Sequence, residues 1–216
     1  MNNSENTVYQ KTFTWLFIGL LITFISGYSL TLNIDLLKQI LAVGVLPIVI
    51  LELIIAFVMG FFLQKLSPVM AKILFVLYCM LTGVTFSAIF IIYEMMSIIS
   101  IFAISAGIFG ALALYGYKTK KSLNNLGTIL FFALIFLIIG EILNMLIFKA
   151  AGAELVFTII GVLIFVGYIP SDTNKIPYMM DIVGEEKASV YCAFQLYLDF
   201  INLFIRLLEL FGKRRD

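Results

Sequence analysis

Seven long apolar runs constrain this chain more than any other feature of its sequence. A helix needs about 20 mostly apolar residues to cross the hydrocarbon core of a bilayer. Segments inside lipid must satisfy their own backbone hydrogen bonds, so each run is predicted to be a transmembrane helix. The predicted spans are about 12–31, 39–63, 70–93, 96–116, 127–148, 153–169 and 189–211. The fold class is therefore an all-α polytopic membrane protein, and residues 1–216 form a single transmembrane domain in this interpretation.

The composition excludes a soluble globule. Of 216 residues, 62% are hydrophobic and only 12% are charged, whereas a soluble domain is about a quarter charged. The net charge of +1 gives no reason to expect a nucleic-acid partner. The bilayer is the expected partner, and the first apolar run is too long for a signal-peptide core, so it is interpreted as a retained span.

Histidine is absent from the sequence, which removes the usual side chain that titrates near neutral pH. The two cysteines, Cys79 and Cys192, lie inside apolar runs and are predicted to be buried thiols rather than a disulfide. No tightly bound cofactor is expected. Any response of this protein to pH must therefore come from carboxylates.

Lysines in the connecting segments predict the orientation, because cytoplasmic loops carry an excess of Lys and Arg. With the N-terminus in the cytoplasm, the cytoplasmic segments carry Lys11, Lys65, Lys72, Lys118, Lys120, Lys121, Lys175 and Lys187. The outer loops then carry only Lys38 and Lys149. The tail 213–215 is also basic and would lie outside if the last helix crosses fully, so its side is left open.

The last apolar run carries an unusual set of polar residues. They recur at steps of four, three, four and three, which keeps them on one face of a helix. They are Gln195, Asp199, Asn202, Arg206 and Glu209. We interpret the segment as a helix of the bundle whose polar stripe faces inward. The alternative is an amphipathic helix that lies on the membrane surface.

Asp199 lacks an obvious partner on its own helix. Arg206 can reach Asn202 or Glu209, one turn away on either side, but it lies about 10 Å along the axis from Asp199. Asp172 closes the sixth run and would come close to Asp199 if that helix continued past Pro170. Two close carboxylates would share a proton and titrate as a unit. In the alternative reading, Asp172 is a helix-terminus residue and Asp199 a buried hydrogen-bonding group.

Other polar or small residues inside the spans have weaker signals. Glu52 sits in the middle of the second run, while Glu141 and Asn144 are spaced to form a polar contact between helices. Small residues repeat every four positions in the fourth run, which favours close helix packing. These small residues are Ala103, Gly107 and Ala111.

Three stretches resemble one known family, and Glu52 falls where that family places an acidic residue in its second helix. "FGALALYGYKTKKSLNNLG" (109–127) and "LYLDFINLFIRLLELFG" (196–212) resemble the fourth-helix end and the last helix of the transmembrane Bax inhibitor motif family. "YIPSDTNKI" (168–176) resembles the Asp-Thr stretch after its sixth helix. The likeness covers nearly the whole chain in order and spacing.

The resemblance implies seven helices with the last one central, in the cytoplasmic membrane of a bacterium. It implies a Ca²⁺ leak channel rather than an enzyme, gated by pH through an aspartate pair. Carried onto this sequence, the pair is Asp172 and Asp199, which would also contact the permeant Ca²⁺ transiently. The polar stripe and Glu52 would line the ion pathway.

The same family places a basic residue near the cytoplasmic end of the second helix, where it latches onto the aspartate pair. The equivalent position here is Leu63, and the nearest cations are Lys65 and Lys72. Lys65 is therefore the candidate latch. Ser171 also replaces the aromatic residue that the family usually has before its first aspartate.

Two other functions compete with the leak channel. Some relatives are described as regulators that bind a membrane protease or another membrane partner, and the small-residue face could serve that purpose. An intramembrane aspartyl protease also needs two aspartates, but its Tyr-Asp and Gly-x-Gly-Asp contexts are missing, since Ser171 and Leu198 precede the two aspartates here.

Overall fold

The computed structural model describes residues 3–44 and 46–215 and is helical along nearly all of that length. The described α-helices are α1 (Asn3–Leu32), α2 (Ile34–Val43), α3 (Leu46–Phe61), α4 (Pro68–Ile92), α5 (Met95–Lys118), α6 (Asn124–Leu143), α7 (Ala153–Asn174), α8 (Ile176–Val183) and α9 (Glu185–Phe211). A 3₁₀ turn covers Leu63–Lys65, and a π-helical turn continues α6 over Asn144–Phe148. Within the described residues there is no β-strand, only one isolated bridge between Tyr93 and Arg214.

Six of these helices are long and apolar enough to cross a membrane. They are α1, α4, α5, α6 with its π turn, α7 and α9. The shorter apolar helix α3 lies between the first two of them in sequence. The predicted all-α, multi-pass membrane architecture is thus confirmed, with six to seven helices of spanning character.

The second predicted span, 39–63, is not one continuous helix. It is divided between the end of α2, the helix α3 and the 3₁₀ turn that follows. Gly44 separates α2 from α3 and has φ of +89°, a left-handed conformation that glycine adopts without steric cost and that stops a right-handed helix. The run stays apolar across this break, so composition alone could not show it.

The sixth predicted span ends at residue 169, but α7 continues past Pro170 to Asn174. Helix α5 lies close enough that a side-chain carbon at Gly116 would overlap the backbone of Pro170. Glycine at position 116 therefore permits a backbone-to-backbone contact between α5 and α7. The extra turn carries Asp172 on the helix instead of in a loop.

Asn144 accepts the hydrogen bonds that close the C-terminal end of α6 and its π-helical turn. The carbonyl oxygen of Asn144 accepts from the backbone N–H of Lys149 at 2.8 Å, and its side-chain Oδ1 accepts from that of Ala150 at 3.0 Å. Lys149 has φ of +47° and terminates the helix. Asn144 is therefore a helix-ending residue rather than half of the polar pair that the sequence suggested with Glu141.

The described chain divides into two compact units. The first contains the residues up to Met95, Ile176–Tyr197 and the residues from Arg214; the second contains Met96–Lys175 and Leu198–Lys213. Helix α9 contributes its first half to the first unit and its second half to the other. The single transmembrane domain expected from the sequence stays a prediction.

In the first unit, the two ends of α4 lie beside different parts of the C-terminal region. At its start, Lys72 pairs with Glu186 of α9 at 3.4 Å, and on α1 Lys11 pairs with Glu185 at 2.5 Å. At its other end, the carbonyl of Ile92 accepts from the backbone N–H of Arg215 at 2.8 Å. The basic tail therefore lies at the opposite end of α4 from the start of α9.

Helix α9 is the most buried of the long helices. In its apolar stretch 72% of the residues are buried, compared with 17–39% in the other five. Its large apolar side chains, such as Leu196, Tyr197 and Leu203, are fully covered. A helix with so little exposed surface belongs inside a protein and not on a membrane surface, which favours the bundle interpretation of its polar stripe.

Candidate functional site

Two aspartates are buried together in the second unit. Asp172 lies in the last turn of α7 and is 5% exposed, and Asp199 lies in the middle of α9 and is 4% exposed. Their carboxylates interact electrostatically, and the hydroxyl of Tyr168, one turn before Asp172, lies in the field of both. The structure thus brings together the two residues that the sequence paired, because α7 continues past Pro170.

Lys175, which the sequence did not single out as a site residue, contacts Asp172 of this pair. The Nζ of Lys175 lies 2.9 Å from Oδ1 of Asp172 and donates a hydrogen bond to it. The charge of Lys175 also acts on Asp199. The spacing of three residues between Asp172 and Lys175 is a helical contact distance, and that was the signal in the sequence. We call Asp172, Lys175 and Asp199 the aspartate cluster.

One carboxylate oxygen of the aspartate cluster is unsatisfied. Oδ2 of Asp199 is buried and has no hydrogen-bond partner among the described protein atoms. An unpaired carboxylate at this depth costs several kcal/mol. The cluster holds two carboxyl groups and one ammonium group, so one further positive charge, a proton or a cation, would balance it.

Hydrogen bonds fix the end of α7 on which the aspartate cluster is built. Oδ1 of Asn174 accepts from the backbone N–H of Leu123 at 3.1 Å, and its Nδ2 donates to the carbonyls of Gly116 and Thr119 at 3.3 Å. The hydroxyl of Ser171 donates to the carbonyl of Leu123 at 3.3 Å. The end of α7 is thereby tied to the end of α5 and to the start of α6.

The last two residues of the polar stripe, Arg206 and Glu209, belong to a second charged group in the same unit. Nη2 of Arg206 lies 2.6 Å from Oε1 of Glu141, and its Nη1 lies 3.9 Å from Oε2 of Glu209. The close contact with Glu141 is an ion pair by distance but is not aligned as a hydrogen bond. We call Glu141, Arg206 and Glu209 the arginine cluster.

Two residues of α7 shape the arginine cluster. Thr158 donates its hydroxyl to Oε2 of Glu209 at 3.2 Å. A side-chain carbon at Gly161 would come within 2.9 Å of Nε of Arg206, so glycine leaves room for the guanidinium. Of the two partners that the sequence predicted for Arg206, Glu209 is confirmed at 3.9 Å and Asn202 is not, since Asn202 donates to the carbonyl of Leu198 at 2.8 Å. The closest partner of Arg206 is Glu141, which the sequence had not paired with it.

The remaining predicted site residues lie in the first unit. Gln195 is half-buried on α9, and Glu52, on α3, lies beside Tyr78 and Thr82 of α4. Oε1 of Glu52 is buried without a hydrogen-bond partner in the described structure.

The candidate latch, Lys65, also lies in the first unit. Its Nζ is 5.4 Å from the centroid of the Phe62 ring. The cation that the structure shows on Asp172 is Lys175. The role of Lys65 as a latch stays a prediction.

Fold and site together define a class: a multi-pass α-helical membrane protein with ionisable side chains buried among its helices. Comparison with protein families matches residues 5–216 to the family described as "Inhibitor of apoptosis-promoting Bax1". The chain belongs to this Bax inhibitor family, as the resemblance of its motifs predicted.

Bacterial relatives align with nearly the full length of the chain. The inner membrane protein YbhL of Escherichia coli K12 is 39% identical over 97% of this chain and 92% of its own length. An uncharacterized protein of Deinococcus radiodurans is 36% identical over 97% of this chain and 91% of its own length. Another from Borreliella burgdorferi is 34% identical over 98% and 94%.

Proposed function

We propose that this protein is a pH-sensitive Ca²⁺ leak channel of the bacterial cytoplasmic membrane, with its N-terminus in the cytoplasm. Asp172 and Asp199 are its gate. One observation carries this proposal: of two nearly fully buried carboxyl groups, Asp172 is paired with an ammonium group, and Oδ2 of Asp199 has no partner within the described chain. Such groups inside a membrane protein are expected to serve an ion or proton pathway.

Charge balance links Ca²⁺ and protons in this proposal. The aspartate cluster has one negative charge in excess when both carboxyl groups are ionised. A proton on the pair restores neutrality, and so does a cation that contacts it. Ca²⁺ is a hard cation that binds oxygen ligands, so protons and Ca²⁺ compete for the same carboxylate oxygens.

A leak requires weak binding of the ion, because a permeant ion must also leave its site. Among residues 3–44 and 46–215, no group of three or more His, Cys, Asp or Glu side chains could hold a metal ion. Two carboxylates supply fewer ligands than the six to eight oxygens that Ca²⁺ usually takes. Transient contact at Asp172 and Asp199, completed by water, is the mode that we propose. Glu52 remains a proposed residue of the ion pathway, and this proposal rests on its position in the sequence.

The test is Ca²⁺ flux into liposomes that contain the purified protein and an encapsulated Ca²⁺ dye, at several pH values. Wild type is compared with Asp172→Asn and Asp199→Asn, and Asp181→Asn is the matched control because this aspartate is exposed on α8. We expect flux through the wild type and the control to depend on pH, and both cluster variants to lose that dependence. Equal, pH-independent flux through all four proteins would remove the leak mechanism.

One observation favours a second function, regulation of a membrane protein partner. The small-residue face of α5 (Ala103, Gly107 and Ala111) is exposed, and a side-chain carbon at Gly107 would meet no atom within 4 Å. Small faces of this kind allow another helix to approach closely in lipid. If Gly107→Leu abolished cross-linking to a partner in native membranes and left Ca²⁺ flux unchanged, this function would be supported.

A further inference from the structure

Lys175 occupies a place where it can act as an internal cation. It follows the last residue of α7, and its Nζ is 2.9 Å from Oδ1 of Asp172. The Lys175 side chain is 24% exposed, compared with 6% for that of Asp172. The ammonium group therefore reaches from the edge of the protein into a buried acidic site, as the long flexible stem of lysine allows.

Gly127 on α6 provides the space that the ammonium group fills. A side-chain carbon at this position would lie 2.7 Å from Nζ of Lys175 and 2.8 Å from Oγ of Ser171. Real side-chain carbons do not approach other atoms so closely, so any larger residue would push the ammonium away. The position of the Lys175 ammonium group thus depends on space left by a second helix, α6, as well as on the i, i+3 spacing within its own segment.

The backbone that carries Lys175 is anchored by hydrogen bonds that the Lys175 side chain does not make. Asn174, the preceding residue, is held by Leu123, Gly116 and Thr119 through three hydrogen bonds of 3.1–3.3 Å. None of these bonds involves the ammonium group, so its departure from Asp172 would break none of them.

We infer that Lys175 is the resident counter-cation of the aspartate pair and that a divalent cation can contact both carboxylates only after the ammonium group has left Asp172. This inference rests on the proposed function for the identity of the incoming cation, but the role of Lys175 as counter-cation stands without it. Lys175 then determines how readily the site admits a divalent cation: it stabilises the empty site and weakens cation binding by competition.

The first test measures stability and needs no ion flux. Thermal unfolding of the purified protein in detergent is compared for wild type, Lys175→Met, Lys175→Arg and the double variant Lys175→Met/Asp172→Asn. Removal of the ammonium leaves two buried carboxylates uncompensated, so we expect Lys175→Met to lower the unfolding temperature by roughly 10 °C. The double variant recovers most of this loss because its charge count matches that of the wild type, and Lys175→Arg stays close to the wild type.

Lys121→Met is the matched control, since Lys121 is exposed in the loop between α5 and α6. We expect it to unfold at the wild-type temperature. A Lys175→Met protein as stable as this control would overturn the inference. A double variant that is no more stable than Lys175→Met would overturn it as well. If Lys175→Met does not fold, a double variant that also does not fold would have the same consequence.

The second test adds CaCl₂ to the same proteins. We expect Ca²⁺ to raise the unfolding temperature of Lys175→Met at a concentration at least about tenfold lower than for the wild type, because the competing charge is gone. Gly127→Ala should shift this concentration in the same direction, since it displaces the ammonium without removing it. If Ca²⁺ stabilised none of these proteins but the double variant still recovered, the proposed Ca²⁺ function would fail while Lys175 kept its role. If Ca²⁺ raised the unfolding temperature of Lys175→Met and of the wild type at the same concentration, the inference that Lys175 competes with the divalent cation would be overturned, even if the double variant recovered its stability.

Discussion

The aspartate cluster and the arginine cluster contain the same charges but differ in how these are satisfied. Each has two carboxyl groups and one cation. In the arginine cluster, Arg206 reaches both glutamates, whose side chains are 32% and 43% exposed. In the aspartate cluster, both aspartates are nearly fully buried, and Oδ2 of Asp199 has neither a hydrogen bond nor an ion pair within the described chain.

Because the two clusters have the same number of charges, burial is the property that distinguishes them. Glu209 is exposed, Glu141 is half-buried, and Arg206 pairs with both, so the arginine cluster has less need of an extra proton or ion. Asp199 is buried and has no ion-pair partner within the described chain, so its charge calls for a proton or a cation in the site. We therefore predict that the aspartate cluster is the more sensitive of the two to pH and to cations.

The largest expected effect comes from separating the helices that build the aspartate cluster. Gly116→Val would place side-chain atoms in the backbone of Pro170, which cannot move aside as a flexible side chain would. We expect a loss of more than about 4 kcal/mol in the free energy of unfolding, measured by thermal or denaturant unfolding in detergent. Gly107→Val is the control, because position 107 is open; comparable losses in both variants would contradict the contact between α5 and α7.

An intermediate effect is expected from removing the cation of the arginine cluster. Arg206→Met leaves Glu141 and Glu209 without their cation, but both remain partly exposed, so we expect a loss of about 2 kcal/mol in unfolding free energy. Adding Glu141→Gln should recover part of it. A loss larger than that of Lys175→Met, measured under the same conditions, would reverse the ranking of the two clusters.

The smallest effects should differ in sign between the clusters. Asp199→Asn removes the surplus buried charge and leaves the pair of Lys175 with Asp172, so we expect a gain of about 1 kcal/mol in unfolding free energy. Glu209→Gln weakens an exposed ion pair and should cost about 0.5 kcal/mol. Unfolding curves of both variants in one detergent provide the measurement, and two changes of the same sign would show that burial does not distinguish these sites.

The sequence predicted what depends on composition and helical spacing. Apolar runs gave the membrane-spanning helices, and the steps between Asp199, Arg206 and Glu209 placed these residues on one face of α9. Asp172 could be paired with Asp199 because consecutive helices bring their facing ends together. These features depend on local periodicity, which is visible in a single sequence.

The features that the sequence did not predict depend on contacts between distant segments or on single backbone angles. Glu141 of α6 meets Arg206 of α9 through a contact between segments that lie far apart in the sequence. The break at Gly44 follows from one positive φ inside an unchanged apolar run. Lys175 was assigned to a cytoplasmic loop because Pro170 suggested that the helix stops there, whereas α7 carries on to Asn174.

The shortness of α3 has a consequence for the lipid around it. Its 16 residues span about 24 Å at 1.5 Å per residue, less than the roughly 30 Å thickness of a typical hydrocarbon core. A segment shorter than the surrounding acyl layer draws the two headgroup planes together or recruits flanking polar residues to the interface. If α3 crosses the bilayer, the acyl-chain length of the surrounding lipid is a physical variable that acts on this protein there.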